Sequence, residues 1–585
     1  IDLAVRYIKQ LQPDFSVDMN TMPFTDPAAY KVLQEANTTA VFQLESDGMK
    51  KLLEKLKPDR FEDIIAVLAL YRPGPLGSGM VDDFILRKAG KQAVDYFHPD
   101  LTACLEPTYG VIVYQEQVMQ ISQIIGGYTL GGADLLRRAM GKKKPEEMAK
   151  HREIFREGAR KKGYDEALAM RLFDLMEKFA EYGFNKSHTA AYAVVTYQTA
   201  WLKAHHCAAF MAATLSSDMD DTDSVKIFVE DARANGLEIL PPDVNASAYR
   251  FEPVDSGTIR YGLGAIKGVG RPAAEAIVAE RERNGPFRDL FELCARIDRR
   301  AVNRRVLEAL VRAGALDTLP GHAGRDRAQL LATVGLALEA AEQAQANVLQ
   351  AGLFDDLPQA EAMQPAFAAV RPWTERERLK EEKSALGFFL SGHPFHAWAE
   401  EVRRLVSRPL ASLEPGWDPV WIAGVVTALR TKMGNRGKMA FVEFDDGTAQ
   451  VEVLAYSEVY EAWRHAIVLD EPLFAEVKVS PDDYSGGLRV VAERFATLAR
   501  LREERARAVA LTVALERTTP EFTAELEAAL RPHLGGKLPL ALTLRLDGTE
   551  GMLRPSPTWG VHPQETLLAA LRAIPGVERV EVRYA

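Results

Sequence analysis

Apolar residues recur at three- and four-residue spacing from Pro27 to about Leu240, as in LEKLKPDRFEDIIAVLALY and EALAMRLFDLMEKFAEY, which predicts a mostly helical region. Pro and Gly punctuate it at RPGPLGSG and PTYG. Near Ile239 the pattern changes. ILPPDVN reads as a turn or linker, and FEPVDSGTIRYGLGAIKGVG alternates like short strands before a Gly-flanked turn, placing a domain boundary near Pro242. Helical spacing returns from Arg271 to about Ala346, after which QAGLFDDLPQAEAMQPAF is polar, holds proline, lacks periodicity and reads as an exposed linker. From Trp421, strand alternation is clear in WIAGVVTALRTK, KMAFVEFDD and TAQVEVLAY. The helix SEVYEAWRHAIVL follows, then the strands LFAEVKVS and LRVVAERFATL. Five strands with a helix after the third give the order of an OB-fold barrel. The last segment reads strand, helix, strand, strand, helix, strand and closes with VERVEVRYA.

At 585 residues the chain exceeds what one core supports, and about three to five domains are expected. Hydrophobic residues make up 47% and charged residues 26%, with no apolar run long enough for a bilayer, so no membrane role is expected. The start, IDLAVRYIKQLQ, has neither an initiator Met nor a secretory signal and reads as part of a longer polypeptide. Cys104, Cys207 and Cys294 lie far apart, without zinc-site spacing, which fits a reducing cytoplasm. No fixed-period repeat, Walker A loop, HExxH helix or GxSxG elbow occurs.

The net charge of −10 argues against a surface that coats DNA, so local clusters carry the chemistry. In YGFNKSHTAAYAVVTYQTAWLKAHH, Asn185 or Ser187 can cap the helix, and Lys186 and His188 stand beside its free N–H groups. Two readings stay open: a phosphate pocket, or a capped core helix with a solvated lysine. From Arg137 to Lys162, eleven Lys or Arg stand against four Glu, and RRAMGKKK, with Lys142, Lys143 and Lys144, has no acid. Its second half fits a helix laced with Glu–Lys pairs, whereas its first half points to nucleic acid or nucleotide. Arg72 precedes a Pro-Gly-Pro turn that can fix its direction. Tyr114, Gln115, Glu116 and Gln117 enter a helix as cap and core, or touch a base or sugar.

GLGAIKGVGRPAAEAIVAER fits a helix-hairpin-helix, with Gly268 and Gly270 letting N–H groups approach a DNA phosphate, Lys267 and Arg271 assisting, or a hairpin kept for packing. In the OB-like part Arg430, Lys432, Arg436 and Lys438 cluster with Phe441 and Phe444, a combination suited to single-stranded nucleic acid, although part of the aromatics belongs to the barrel interior. Asp218 to Asp223 is acidic but reads as a loop and N-cap rather than a metal site.

FQLESDGMKKLLEKLKPDRFEDIIAVLALYRPGP, GVIVYQEQVMQI, GYTLGGADLLRRAMGKKKPEEM, FAEYGFNKSHTAAYAVVTYQTAWLKAHH and YGLGAIKGVG, in that order, closely resemble the alpha subunits of bacterial replicative DNA polymerase III, the C-family polymerases. The likeness is densest up to about Ala315. It implies a multidomain α+β fold: residues 1–26 at the end of the palm, 27–242 as helical fingers, and 243–346 as a clamp-binding domain with the helix-hairpin-helix. Residues 347–400 would be a linker with a clamp-binding peptide, 401–500 the OB-fold β-barrel, and 501–585 a small α/β domain contacting the clamp-loader tau subunit.

The resemblance also implies that Arg72, Arg137, Arg138, Lys186, Ser187 and His188 face an incoming dNTP or the primer-template. Gln350, Leu353 and Phe354 would engage the sliding clamp as an extended peptide, with Ala351 and Gly352 in place of the bulkier residues common there. Family members hold two Mg²⁺ on palm aspartates. No such strand-borne pair is visible, so the palm core, thumb and PHP domain are expected before Ile1, with the proofreading exonuclease binding through that region. The implied function is nucleotidyl transfer by the whole protein, with this chain binding substrates but inactive alone. The alternatives are a non-catalytic DNA-binding scaffold and a nuclease using Asp220 and Asp221.

Overall fold

The computed structural model describes residues 1–77, 79–142, 145–179, 183–351, 366–434, 437–482, 487–546 and 549–584. They form two compact units, Ile1–Leu390 and Ser391–Ala585.

The first unit is helical apart from a three-stranded sheet made of Glu238–Leu240, Thr258–Arg260 and Glu252–Pro253, in that spatial order. It has two hydrophobic cores. One gathers Leu101 from the turn Pro99–Leu101 and Ile121, Leu136, Phe155, Leu172 and Phe173 from the helices Gln115–Ile124, Leu130–Lys142, Pro145–Lys161 and Glu166–Phe179. The other joins residues from Ala4 to Leu390. Its centre is the helix Lys186–His205, where Tyr197 packs among Phe24, Tyr30 and Phe61. Thr196 and Thr199 hydrogen-bond the backbone of Phe42, and buried Lys203 meets Asp231 and the carbonyl of Thr39. A helix enclosed on most sides has no use for solvated charge, which accounts for its apolar run.

Packing runs straight through the Pro242 region where a boundary is expected from the sequence. Phe251, Ile259 and Tyr261 of the small sheet share the larger core with helices from the first residues onward. The Phe251 carbonyl accepts from Tyr7 (2.7 Å) and Ser216 (3.1 Å).

The described residues of the expected linker, 347–351 and 366–400, are also largely folded. Helix Arg327–Ala351 extends into it. Phe367 sits against Phe291 and His322, with ring centroids 5.1 and 5.6 Å away. A Thr374–Glu377 capping box starts helix Glu375–Leu386, which buries Leu379, Ala385 and Leu386. Its buried Glu382 reaches Arg327 and accepts from Leu390 N–H at 2.7 Å.

In the second unit a closed barrel runs Val420–Gly434, Gly437–Asp445, Gln450–Ala455, Leu488–Ala496, Pro472–Pro481, with helix Ser457–Trp463 after the third strand in sequence. This is the expected OB order. The long first strand pairs with Gly437–Asp445 by its second half and with Pro472–Pro481 by its first, bulging between Val426 and Ala428. Gly424 lies where a Cβ would stand 2.9 Å from Asp445 N, so only glycine permits that crossing.

The terminal sheet is ordered Thr549–Leu553, Leu540–Leu546, Ala506–Ala514, Val577–Tyr584. Helices Phe522–Leu530 and Glu565–Arg572 pack on it through Leu530, Leu567 and Leu571. The short strand Leu534–Leu538, bridged to Val561, adds to the expected pattern.

Candidate functional site

Two chain segments about 70 residues apart, 113–117 and 183–188, lie side by side. Tyr114 and Phe184 form a parallel bridge, and Gln115 N–H donates to Phe184 O at 2.9 Å. Each segment opens a helix, Gln115–Ile124 and Lys186–His205, so two positive dipole ends converge. Local chemistry starts both. Gln117 Oε1 accepts from Val113 N (2.8 Å) and Tyr114 N (2.9 Å), and Asn185 Oδ1 accepts from His188 N at 2.9 Å.

Cations and rings surround this double mouth. The Arg72 guanidinium lies 4.1 Å over the Phe184 ring, and its Nε donates to Ala69 O at 3.0 Å. Burial pulls its pKa below the usual arginine value, yet a guanidinium stays charged throughout the physiological range. The Pro-Gly-Pro stretch after it is a helical turn, Pro73–Gly77, rather than an open turn. Lys186 Nζ sits 5.5 Å over Tyr114. The His188 ring lies between Phe184 (5.5 Å) and Tyr192 (4.4 Å), and Tyr192 continues to Phe42 at 5.2 Å. Ser187 and His188 are exposed.

Arg137 reaches the mouth through Gln115 Oε1 (3.0 Å), but it also bonds Asp134 (2.7 Å), as does Arg138 (2.8 Å). The bond from Arg137 holds the Asp134 carboxyl below its usual range, so one carboxylate offsets part of the charge of that pair. The structure therefore brings Arg72, Arg137, Lys186, Ser187 and His188 together, and places Arg138 one residue further along, more exposed. Lys143 and Lys144 lie outside the described residues, as does the side chain of Lys142.

Glu116, which the sequence marks only as a residue entering a helix, ties the two segments together. Its Oε2 accepts from Lys186 N at 2.9 Å and its Oε1 from Asn185 Nδ2 at 3.0 Å. Phe184 was unmarked, because a partner 70 positions away leaves no local pattern.

The hairpin after the small sheet is exposed at Lys267, Gly268, Gly270 and Arg271. Gly268 has φ +85° with nothing near where a Cβ would stand, and Gly270 precedes helix Arg271–Asn284 without a side-chain cap. Lys267 N is anchored to Ala385 O at 2.8 Å, while the N–H groups of Gly268, Gly270 and Arg271 have no hydrogen-bond acceptor among the described residues. Arg271 pairs with Glu275 at 2.7 Å.

On the barrel's outer face Arg430 stands across from Phe441 and Lys432 across from Met439. Arg430 pairs with Glu452, which makes this face less basic than its sequence suggests. Phe444 fills the interior, stacked on Phe495. Arg436 lies outside the described residues, as do Gly352, Leu353 and Phe354 and the side chains of Gln350 and Ala351. In the acidic joint, Asp221 Oδ1 accepts from Asp223 N (3.0 Å) and Ser224 N (3.3 Å), capping helix Thr222–Ala234. Among the described residues no three His, Cys, Asp or Glu are grouped to hold a metal, and no helix is long and apolar enough to cross a membrane.

Comparison with known proteins agrees with this layout. Residues 1–163 match the family described as the bacterial DNA polymerase III alpha subunit finger domain. Residues 236–330 match a helix-hairpin-helix motif, and 420–498 an OB-fold nucleic acid binding domain. A DNA polymerase III subunit alpha of Neisseria meningitidis serogroup A is 48% identical over 587 residues, covering 100% of this chain and 50% of the relative. This chain belongs to the DNA polymerase III alpha subunit family. The Escherichia coli K12 subunit of the same name is 46% identical over 97% of the chain and 50% of its own length. That of Haemophilus influenzae is 44% identical over 100% and 51%. The chain thus spans about half the length of these alpha subunits.

Proposed function

We propose that this chain supplies the substrate-holding part of a DNA polymerase III alpha subunit acting in template-directed DNA synthesis. Residues 27–242 act as fingers that seat the incoming dNTP, and 243–346 and 401–500 hold DNA. One observation carries the reading: Arg72, Lys186 and His188 converge where two helix N-termini meet, an arrangement that favours polyphosphate. His188 and Tyr192 add ring faces beside it, suited to a base or sugar.

Nucleotidyl transfer in polymerases uses divalent cations that activate the 3′-hydroxyl and stabilise the leaving pyrophosphate. The described residues do not fit such a site. Asp221 is committed to its cap, and the groups at the mouth bind and orient rather than deprotonate. We assign Mg²⁺ in the whole protein to other residues.

The test is anisotropy of a labelled primer-template titrated with this chain, with the complementary or a non-complementary dNTP. Tightening by the complementary nucleotide supports the reading. Binding indifferent to nucleotide leaves a DNA-binding scaffold and overturns it.

The free N–H groups at Gly268 and Gly270 support a sequence-independent grip on a duplex phosphate. Lys267→Ala is expected to weaken duplex binding about equally for all sequences, and to lower the slope of log affinity against log salt by about one. Equal slopes would place Lys267 away from DNA. The sliding clamp is assigned to Gln350, Leu353 and Phe354. The tau subunit is assigned to residues 501–585, where Leu511, Leu526, Leu530, Leu540, Leu553 and Trp559 line an apolar cleft of about 220 Å³. Such a cleft takes the apolar anchors of a partner segment.

A further inference from the structure

The acceptor at the mouth of helix Lys186–His205 is the protein's own carboxylate. Glu116 lies in the first turn of helix Gln115–Ile124 and bonds across to Lys186 N (2.9 Å) and Asn185 Nδ2 (3.0 Å). It therefore touches two helix N-termini at once, a position that stabilises negative charge. Asn185 Oδ1 already takes His188 N, and Asn185 O takes Thr189 N at 3.3 Å. Among the described residues, Ser187 N, the Ser187 hydroxyl, Lys186 Nζ and His188 remain as donors to an anion. The Lys186 amide becomes available only when Glu116 leaves.

We infer that Glu116 is a built-in competitor for the phosphate site: it holds the mouth until a polyphosphate displaces it. This rests on the reading that the mouth seats a triphosphate. A single phosphate brings too little charge to replace a carboxylate so well bonded and pays the repulsion of its neighbour, whereas a triphosphate reaching Arg72 and Lys186 together offsets that cost. Glu116 thus sets a threshold on which anions enter. Its segment also carries Tyr114, paired with Phe184, and Gln115, which holds Arg137. Glu116 is a positioning residue, since it touches the mouth's own groups.

Calorimetric titration of the chain with inorganic tripolyphosphate and with dATP tests this. Glu116→Gln removes the negative charge but keeps an acceptor for the Lys186 amide. It is expected to tighten tripolyphosphate binding about five- to tenfold, and orthophosphate, too weak to measure on the wild type, should become detectable. Glu116→Asp keeps the charge one methylene short of the amide and should tighten binding by less; it also serves if the glutamine variant does not fold. The gain should vanish when Lys186→Ala and His188→Ala are added. Weaker or unchanged binding in both Glu116 variants, with loss on Lys186→Ala and His188→Ala, overturns the competitor role and leaves the phosphate site standing. If those two changes alter nothing in any background, the phosphate reading itself fails and the inference with it.

Discussion

Replacing Lys186 and His188 together by alanine is expected to lower the affinity for a dNTP by about 30- to 150-fold, with the fold retained. The size follows from what is removed. Hydrogen bonds to charged groups are worth about 1.5–3 kcal/mol each, and the second loss overlaps the first because both side chains serve one ligand. A net 2–3 kcal/mol corresponds to that range of dissociation constants. The fold survives for a local reason: the helix is capped by Asn185 Oδ1 and by Glu116 bonding the backbone of residue 186, and neither bond uses the deleted side chains. Circular dichroism should be unchanged, and nucleotide titration should show the loss. If affinity stays within about twofold, the cluster is only a helix cap, and the nucleotide reading falls with it.

Legibility depended on how far apart the interacting residues are. The barrel was readable because strand parity separates Phe441, outside, from Phe444, inside, within a few residues. Asn185 was readable as a cap because its acceptor serves an amide three residues on. Arg137 and Arg138 carry a local signal that was outweighed by their charge: Asp134, three and four residues earlier, sits where helical geometry makes an ion pair. The partner of Glu116 was unreadable, since nothing near YQEQ tells that Lys186 N lies 2.9 Å away. Residues 366–390 passed for linker because few anchors, Phe367, Leu379 and Leu386 among them, hold them down. The continuous packing past Pro242 is hidden for a related reason. A Pro-Pro turn marks a change of local structure, while core sharing depends on where Phe251 and Tyr261 end up in space.

Arg502→Met is expected to destabilise the second unit by about 3–5 kcal/mol, the usual result of removing one partner from a buried ion pair. Arg502 is 2% exposed and bonds Glu401 in a fork, Nε to Oε1 at 2.7 Å and Nη2 to Oε2 at 2.6 Å. A third bond runs to Glu565 at 2.8 Å, and Tyr584 donates to the same Glu401. Helix Leu498–Arg505 is thereby tied to the last strand and to helix Glu565–Arg572. Methionine fills the space but leaves Glu401 charged, buried and without its guanidinium; for a unit of this size the melting temperature should drop by about 6–20 °C. The pH dependence identifies the cause. Burial pushes the Glu401 carboxyl up, and the bonds and charge of Arg502, with the Tyr584 bond and the Arg572 charge beside them, more than reverse this, leaving it below its ordinary value. A depressed folded pKa stabilises the native state above the unfolded value and loses that contribution as pH falls through the folded one. Without Arg502, burial is opposed only by the Tyr584 bond and the charge of Arg572, so the carboxyl rises and the variant loses less stability than the wild type as pH falls through the acid range. Adding Glu401→Gln should restore part of the loss at pH 7 and flatten the difference in pH profile. Hydrogen exchange in Ala506–Ala514 and Val577–Tyr584 of the whole chain reads each effect. Parallel pH profiles for wild type and Arg502→Met would show that the pair is not what holds these elements together.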